Sequence, residues 1–172
     1  MNSVEIGNST VKDLPLIFKF YREAVVYQKP LFENHWPEFS KEMVLNEIKE
    51  LRQFKLLIDK EVACIWAITF SDPEIWGDRD RNDAIYIHRI ATHPKFRGQK
   101  FVEKILSWAT FYARKHTKDF VRMDTVGKNE KLISHYQKCG FNYLGLRKLN
   151  QTANLPSHYH NAVVSLFEYS LI

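Results

Sequence analysis

Cysteine is scarce in this chain, with Cys64 and Cys139 far apart and in no CxxC pattern. Such a pair is typical neither of a disulfide scaffold nor of a zinc site, so we expect no metal and a reduced, cytoplasmic protein. No window approaches about eighteen apolar residues, which argues against a membrane-spanning helix. The first residues lack a basic stretch followed by an apolar run, so the sequence predicts no signal peptide.

Repeats, low-complexity tracts and linkers are also lacking, and 172 residues suit a single domain over residues 1–172. The net charge is +5, which favours a polyanionic partner, either nucleic acid or a phosphate-bearing cofactor. No recognition helix or aromatic RNA-binding motif accompanies the scattered basic residues, so we do not expect nucleic-acid binding. They are densest between Lys95 and Lys104, a segment that also contains Arg97 and Lys100.

Hydrophobic periodicity and turn residues predict strands that alternate with helices. The predicted strands cover residues 4–7, 54–58, 61–70, 85–92, 120–126, 141–147 and 162–170. The four predicted helices cover residues 10–27, about 40–51, about 98–113 and 129–138. Helices between strands four and five, and between five and six, act as crossovers, so strands four and five should be parallel. We therefore expect an α/β protein whose mixed sheet of about seven strands is flanked by four helices.

The segment 87–102 joins the end of a predicted strand, a basic turn with one glycine, and the start of an amphipathic helix. The first N–H groups of a helix have no partner within it, and the helix dipole adds positive potential there. Such a strand–turn–helix suits a phosphate or pyrophosphate. The same pattern also fits an ordinary connection between a strand and a helix, so it does not decide the function alone.

A second segment, downstream of this turn, narrows the interpretation. The relevant residues, in order, are Arg97 and Gly98, then Asn129, then Tyr136 seven residues later, then Gly140 and Phe141. This order and spacing resemble the GNAT N-acetyltransferase superfamily, whose members typically read RGxGxG/A at the pyrophosphate turn. The resemblance covers nearly the whole chain in element order and is sharpest over residues 85–145. It implies the acyl-CoA N-acyltransferase fold and transfer of an acetyl group from acetyl-CoA to an amine.

The resemblance assigns part of the chain to the cofactor. Backbone groups at the end of the fourth strand would contact the pantetheine arm and stabilise negative charge on the thioester carbonyl. Backbone N–H groups of the following turn would hold the pyrophosphate. Asn129 would hydrogen-bond the cofactor near its pantetheine, and it also suits the N-cap of the last helix. The residues expected at the cofactor are Ile90, Ala91, Thr92, Arg97, Gly98, Gln99, Lys100, Phe101, Val102, Asn129 and Tyr136.

Three residues are candidates for proton transfer. By resemblance, Tyr136 would protonate the departing thiolate as general acid, although its helical position also suits a core aromatic. Asp124 lies where ribosomal-protein N-terminal acetyltransferases place a catalytic carboxylate, and it would be the general base; otherwise it would pair with Arg122 or Arg89. His88 is the second candidate base because its usual pKa suits the task, or else it is a structural residue of its strand.

Two positions depart from the family pattern. Lys100 and Val102 stand where relatives carry small residues, and the β-branched Val102 narrows the approach of a phosphate to the backbone. Lys100 would compensate by adding positive charge. The expected reaction is direct transfer in a ternary complex, and the alternative is a catalytically silent module that binds acyl-CoA and regulates.

The sequence does not identify the amine acceptor, which we expect to be a small molecule or a peptide. It should approach aromatic and histidine side chains of the first helices and of the loop before the last strand, namely Phe32, His35, Trp36, Phe39, His158, Tyr159 and His160. The acidic loop 71–83 either attracts a cationic acceptor or is an ordinary solvated loop. Pairing into a homodimer, which is frequent in the family, is left open by the last strand.

Overall fold

The computed structural model describes residues 3–172, which form seven strands and five α-helices joined by short turns. The strands are β1 (Val4–Asn8), β2 (Gln53–Ile58), β3 (Glu61–Thr69), β4 (Ala84–Thr92), β5 (Phe120–Val126), β6 (Asn142–Lys148) and β7 (Val163–Ser170). The α-helices are α1 (Leu14–Gln28), α2 (Lys41–Lys49), α3 (Pro73–Trp76), α4 (Phe101–Lys115) and α5 (Glu130–Lys138). None of the helices in this described part of the chain is both long enough and apolar enough to cross a membrane.

The strand order is β1-β2-β3-β4-β5-β7-β6. Strands β4 and β5 are parallel, whereas β1–β2, β2–β3, β5–β7 and β6–β7 are antiparallel. The prediction of a mixed α/β sheet with parallel fourth and fifth strands is therefore confirmed. The chain divides into two compact units, one with residues up to Ile68 and Arg89–Gln99, the other with Thr69–His88 and Lys100–Ile172. Strand β4 contributes residues to each of the two units.

The first unit contains β1 to β3, the last residues of β4, and helices α1 and α2. Its hairpin between β2 and β3 turns at Asp59 and Lys60, whose φ angles of 48° and 69° are typical of a tight two-residue turn. Helix α2 begins where predicted, because the Ser40 side chain caps it by accepting from the Met43 N–H at 3.0 Å. The helices bury one face in a core that includes Ile17, Phe20, Tyr21, Val44 and Ile48.

The second unit contains the first residues of β4, strands β5 to β7, and helices α3 to α5. Its core packs Trp76 and Tyr86 with apolar residues of β7 and of the loop before it. Arg122 is buried here, and its guanidinium donates to Asp83 at 2.9 Å and to Glu168 at 2.8 Å. These two carboxylates neutralise a charge that would otherwise be costly to bury.

Two predicted boundaries are corrected. There are five α-helices rather than four, because the predicted polar loop 71–83 contains α3, a single turn that is too short to show hydrophobic periodicity. Its Ile75 and Trp76 are buried, so this segment is part of the core. Helix α4 begins at Phe101 rather than near Gly98, because Gly98 and Lys100 have φ angles of 82° and 56°, outside the right-handed helical region.

Candidate active site

Arg89, near the middle of β4, has a φ angle of 51°, which lies in the left-handed region. A residue other than glycine rarely adopts this backbone conformation without support from its surroundings. The parallel register of β4 with β5 runs from Ala84–Phe120 to Ile87–Met123, although both strands continue further. All of these paired residues lie in the second unit.

The side chain of Arg89 supplies the support that its backbone needs. In the first unit its guanidinium contacts the Glu47 carboxylate, and its Nε donates to the Tyr21 hydroxyl at 3.3 Å. Gln53 completes this network by donating to Glu47 at 2.8 Å and to Tyr21 at 3.0 Å. Phe39 covers the guanidinium with its ring, 5.2 Å from the Arg89 Cζ. The charge of Arg89 is thus balanced by Glu47, so this arginine is a structural residue of the first unit.

The chain leaves β4 through a short 3₁₀ turn, Pro94–Phe96, and then enters α4. In this turn the Arg97 N–H donates to the Pro94 carbonyl at 3.3 Å. Among residues 3–172, the N–H groups of Gly98, Gln99 and Lys100 have no hydrogen-bond acceptor. The next three, from Phe101 to Glu103, open the helix and have no acceptor within it. Residues 98–103 therefore present a continuous run of available N–H groups, but Arg97 does not contribute its own.

Glycine is favoured at position 98 by the backbone conformation of the turn. Close packing of neighbouring atoms is not the reason. Its φ is +82°, and a Cβ added there would meet no atom within 4 Å. Lys100, where the family has a small residue, holds a left-handed φ and directs its ammonium to Glu103 at 3.6 Å. The Arg97 guanidinium lies over the Tyr27 ring at 4.3 Å. The turn thus combines exposed positive charge with open backbone, which fits a diphosphate.

Asp124, on β5, lies in a buried polar cluster of the second unit. Its Oδ2 accepts from the Tyr159 hydroxyl at 2.9 Å, and its Oδ1 lies 3.9 Å from Nδ1 of His88. On the other side of the ring, Nε2 of His88 lies 3.0 Å from Oδ2 of Asp72. The side chain of Asp124 is 1% exposed, that of Asp72 is 7% exposed and that of His88 is 16% exposed. His88 is therefore the member of the cluster most open to solvent.

Burial raises the pKa of Asp124 to about 6, because desolvation disfavours the carboxylate. Proximity to Asp72 raises this pKa further, whereas His88 and the Tyr159 hydroxyl lower it. Neither arginine that the sequence offered as a structural partner pairs with Asp124, because Arg122 pairs with Asp83 and Glu168, and Arg89 with Glu47. A carboxylate with a pKa near neutrality suits a general base.

Tyr136 lies on α5 in the second unit, half-buried against Phe167 and Phe141 at ring-centroid distances of 5.0 and 6.3 Å. Burial raises the pKa of its hydroxyl, which therefore keeps its proton at neutral pH. Within the described residues the hydroxyl makes no hydrogen bond. Asn129 caps the same helix, since its Oδ1 accepts from the Leu132 N–H at 3.0 Å. The capping role of Asn129 is confirmed, and its amide nitrogen is left for another partner.

The two cysteines lack the environment of a nucleophile. Burial raises the pKa of Cys64 to about 12, and the Thr92 hydroxyl lies 3.6 Å from its sulfur. Burial also raises the pKa of Cys139. Both thiols therefore remain protonated at neutral pH, which fits direct transfer better than an acyl-enzyme.

Most carboxylates of the acidic segment 71–83 have partners within the second unit. Asp72 contacts His88, Asp80 accepts from the Tyr86 hydroxyl at 2.7 Å, and Asp83 pairs with Arg122. The same segment contributes Glu74, which accepts from the Asn154 amide at 2.6 Å. These contacts favour the structural interpretation of this segment over acceptor attraction. The contact of Asp72 with His88 was missed in the sequence, which has no spacing signal that links the two residues.

The aromatic residues predicted near the acceptor fall in separate units. In the first, Trp36 and Phe39 pack edge-to-face with each other at 5.8 Å and with Tyr21 at 6.0 and 5.2 Å. In the second, His158 and Tyr159 have ring centroids 4.2 Å apart. Of these residues, Tyr159 contacts a candidate catalytic group directly, through its hydrogen bond to Asp124.

Comparison with known proteins defines the class. The sequence model of the family described as "Acetyltransferase (GNAT) family" matches residues 24–141, and the chain belongs to this family. It is 27% identical over 106 residues to a Bacillus subtilis protein named "Uncharacterized N-acetyltransferase YesJ". That match spans 59% of this chain and 59% of the relative, so it covers about three fifths of the relative's length.

Two solved structures share the fold. One is a GNAT-family acetyltransferase from Listeria monocytogenes, with a TM-score of 0.77 and 18% identity, over 98% of this chain and 95% of that one. The other is yncA of Salmonella typhimurium, a putative acetyltransferase determined with acetyl-CoA, with a TM-score of 0.68 and 16% identity, over 99% and 95% of the two chains. At these identities the likeness establishes the fold.

Proposed function

We propose that this protein transfers the acetyl group of acetyl-CoA to a primary amine of a small molecule or peptide, by direct transfer in a ternary complex. The observation that carries the proposal is the run of available N–H groups from Gly98 to Glu103, directly after β4 in a chain of the GNAT family. The Salmonella relative with the same fold was determined with acetyl-CoA. Here acetyl-CoA would supply the activated acetyl thioester.

The turn before α4 would hold the diphosphate of the cofactor. The N–H groups of residues 98–103 would donate to its oxygens, and the positive end of the helix dipole would add to the attraction. Backbone groups of Ile90, Ala91 and Thr92 would contact the pantetheine arm and stabilise negative charge on the thioester carbonyl. Asn129 would hydrogen-bond the cofactor near its pantetheine, with the amide nitrogen that its cap does not use.

Proton transfer requires one base and one acid. An ammonium group cannot attack a thioester, so Asp124 would take its proton, directly or through water. The pKa of about 6 leaves Asp124 mostly ionised at neutral pH and ready to accept this proton. Tyr136, whose raised pKa keeps the hydroxyl protonated, would donate to the departing sulfur. His88, in contact with Asp124, is the second candidate for the base.

The proposal is tested by titrating the protein with acetyl-CoA and by measuring thiol release over a panel of polyamines, amino acids and peptides. Gly98→Ala should weaken acetyl-CoA binding about fivefold or more, because alanine in a left-handed conformation costs about 1 kcal/mol or more. Gly7→Ala is the matched control, since an added Cβ there also meets no atom within 4 Å but the position does not have a positive φ.

Three outcomes are distinct. Thiol release with an amine, together with weakened binding in Gly98→Ala alone, supports the proposal. Binding of acetyl-CoA without release for any amine would favour the silent regulatory module. Absence of acetyl-CoA binding by the wild-type protein would overturn the cofactor site itself.

A further inference from the structure

The cluster around Asp124 contains a second carboxylate, Asp72, that the proposed reaction does not use. Asp72 stands just before α3 and is buried, and its Oδ2 lies 3.0 Å from Nε2 of His88. The negative charge of Asp72 at this distance favours a proton on Nε2, and so the neutral tautomer with Nδ1 unprotonated. That unprotonated Nδ1 is the atom that faces Oδ1 of Asp124, at 3.9 Å.

The three groups form a chain rather than a chelate. Ligand atoms of Asp72, His88 and Asp124 lie within 4.8 Å of one another, a spacing that a small cation could also use. The two carboxylates, however, approach different nitrogens of the imidazole, and these point to opposite edges of the ring. An ion bound here would take only one nitrogen of His88 and would displace that nitrogen's contact with its carboxylate. The arrangement places a carboxylate beside each ring nitrogen, as in carboxylate–imidazole series in which a carboxylate orients a histidine for proton transfer.

We infer that Asp72 is a positioning residue, which holds His88 with Nδ1 directed at Asp124 so that His88 can remove the proton collected by that base. The inference rests on the proposed function, in which Asp124 deprotonates the amine. After that step Asp124 is a carboxylic acid. Its Oδ1–H bond breaks, the proton bonds to Nδ1 of His88, Asp124 returns to a carboxylate, and the ring becomes an imidazolium between two carboxylates. The imidazolium then loses this proton to water.

Burial supports this direction of transfer. Asp124 is 1% exposed and His88 is 16% exposed, so His88 is the better placed of the two to exchange protons with solvent. The negative charge of Asp72 stabilises the imidazolium that forms. The 3.9 Å separation exceeds a hydrogen bond by about 1 Å, so His88 and Asp124 must approach each other for the transfer.

The groups that face Asp124 come from four elements. They are His88 on β4, Asp72 before α3, Tyr159 in the 3₁₀ turn Ser157–Tyr159, and Tyr136 on α5. Of the four, Asp72 raises the pKa of Asp124, and His88 and the Tyr159 hydroxyl lower it. Removal of the Asp72 charge should therefore lower the pKa of Asp124.

The test compares Asp72→Asn, Asp72→Glu and Asp78→Asn with the wild-type protein. Asp78 is the matched control, because it is an exposed carboxylate of the same segment and does not contact His88. The ring nitrogens of His88 are observed by ¹⁵N NMR, with the signals assigned from His88→Gln. Rates are measured against pH with the amine that gives the fastest thiol release.

The wild-type ring should give the Nε2–H pattern. Asp72→Asn should give a mixture of the two neutral tautomers, because an uncharged amide favours a proton on Nε2 less strongly than a carboxylate does. In Asp72→Asn, kcat should fall about tenfold or more with both KM values nearly unchanged, and the acidic limb of the pH profile should move to lower pH. Asp72→Glu should recover part of the rate, and Asp78→Asn should match the wild type. If Asp72 had only a structural role, Asp72→Asn would lower the fraction of folded protein, as seen by circular dichroism. The acidic limb of the pH–rate profile and the ¹⁵N pattern of His88 would then stay unchanged.

Three results would overturn the inference, and the first of them does not depend on the success of the proposed function. The first is an unchanged ring pattern in Asp72→Asn, which would remove the positioning role even if the wild-type protein is active. The second is an acidic limb of the pH–rate profile that lies at the same pH in both Asp72 variants as in the wild type. The third is stimulation of the EDTA-dialysed wild-type protein by Zn²⁺ or Mn²⁺ that Asp72→Asn abolishes, which would assign a cation site. If no amine gives thiol release, the proposed function fails while the ring pattern still decides the role of Asp72.

Discussion

Asp124→Asn should make the folded protein more stable while it removes activity. Asparagine has nearly the shape of aspartate, and its side-chain oxygen can still accept from the Tyr159 hydroxyl, which lies 2.9 Å from Asp124. Its amide nitrogen would take the place of Oδ1, which lies 3.9 Å from Nδ1 of His88. The substitution therefore keeps the hydrogen bond from Tyr159 and removes a buried negative charge.

The size of the effect follows from the pKa of Asp124, which burial raises from its usual 3.8 to about 6 in the folded protein. Because the folded protein binds this proton more tightly than the unfolded chain, the contribution of Asp124 to stability is greatest below about pH 4 and is lost as the pH rises through 6. The difference between the two pKa values corresponds to about 3 kcal/mol. Asp124→Asn lacks this loss, so above pH 7 it should exceed the wild type by up to about 3 kcal/mol, or about 6–10 °C in Tm.

The assay is urea unfolding at a series of pH values from 4 to 8, followed by circular dichroism and tryptophan fluorescence, with thiol release measured in parallel. Asp78→Asn, which removes an exposed carboxylate and keeps Asp124, should differ from the wild type by about the same small amount at every pH. The reasoning is refuted if Asp124→Asn is less stable than the wild type at pH 8, or if the difference between them is the same at pH 4 and pH 8. Retained turnover in Asp124→Asn would show, separately, that Asp124 is not the general base.

Further predictions concern other parts of the chain. Tyr136→Phe should lower kcat about a hundredfold with acetyl-CoA affinity unchanged, and equal turnover would leave Tyr136 as a core aromatic. Glu47→Gln should lower the free energy of unfolding by about 3 kcal/mol, because Arg89 then keeps a buried charge without its carboxylate partner. Its control is Glu50→Gln in an exposed pair, which urea unfolding should show to cost less than about 1 kcal/mol. Lys100→Gly should stabilise the protein by about 1 kcal/mol, because glycine accepts a left-handed φ without strain. Lys100→Ala should weaken acetyl-CoA binding, and an unchanged dissociation constant would remove this lysine from the site.

Local signals account for the elements that the sequence predicted well. Strand β5 has the predicted bounds, and α5 begins after the predicted cap, Asn129. Both depend on residues that are neighbours along the chain, such as a cap and the N–H three residues later. The start of α4 was misplaced because Lys100 adopts a left-handed conformation, which its residue type does not favour. Helix α3 was missed because one turn is too short for a period to be visible.

The candidate site divides in the same way. Its backbone half, the turn after β4, is visible in the sequence because a strand, a basic Arg-Gly turn and a helix follow one another along the chain. Its proton-transfer half is only partly visible, since Asp124 and His88 were named as candidates but their relation to Asp72 and Tyr159 was not. These contacts join residues that are distant in sequence and that the sheet brings together.

The sequence alone determined the order of the strands and of the four longer helices, the parallel pairing of β4 with β5, and the family to which the turn and the Asn129–Tyr136 spacing point. Periodicity, capping and crossover connections act over short stretches of chain, so they can be recognised without coordinates. Only the tertiary structure decided which charges are paired and which are not. In the folded protein Arg89 pairs with Glu47, and Asp124 lies beside His88. The raised pKa that makes Asp124 a candidate base arises from burial, which no short stretch of sequence specifies.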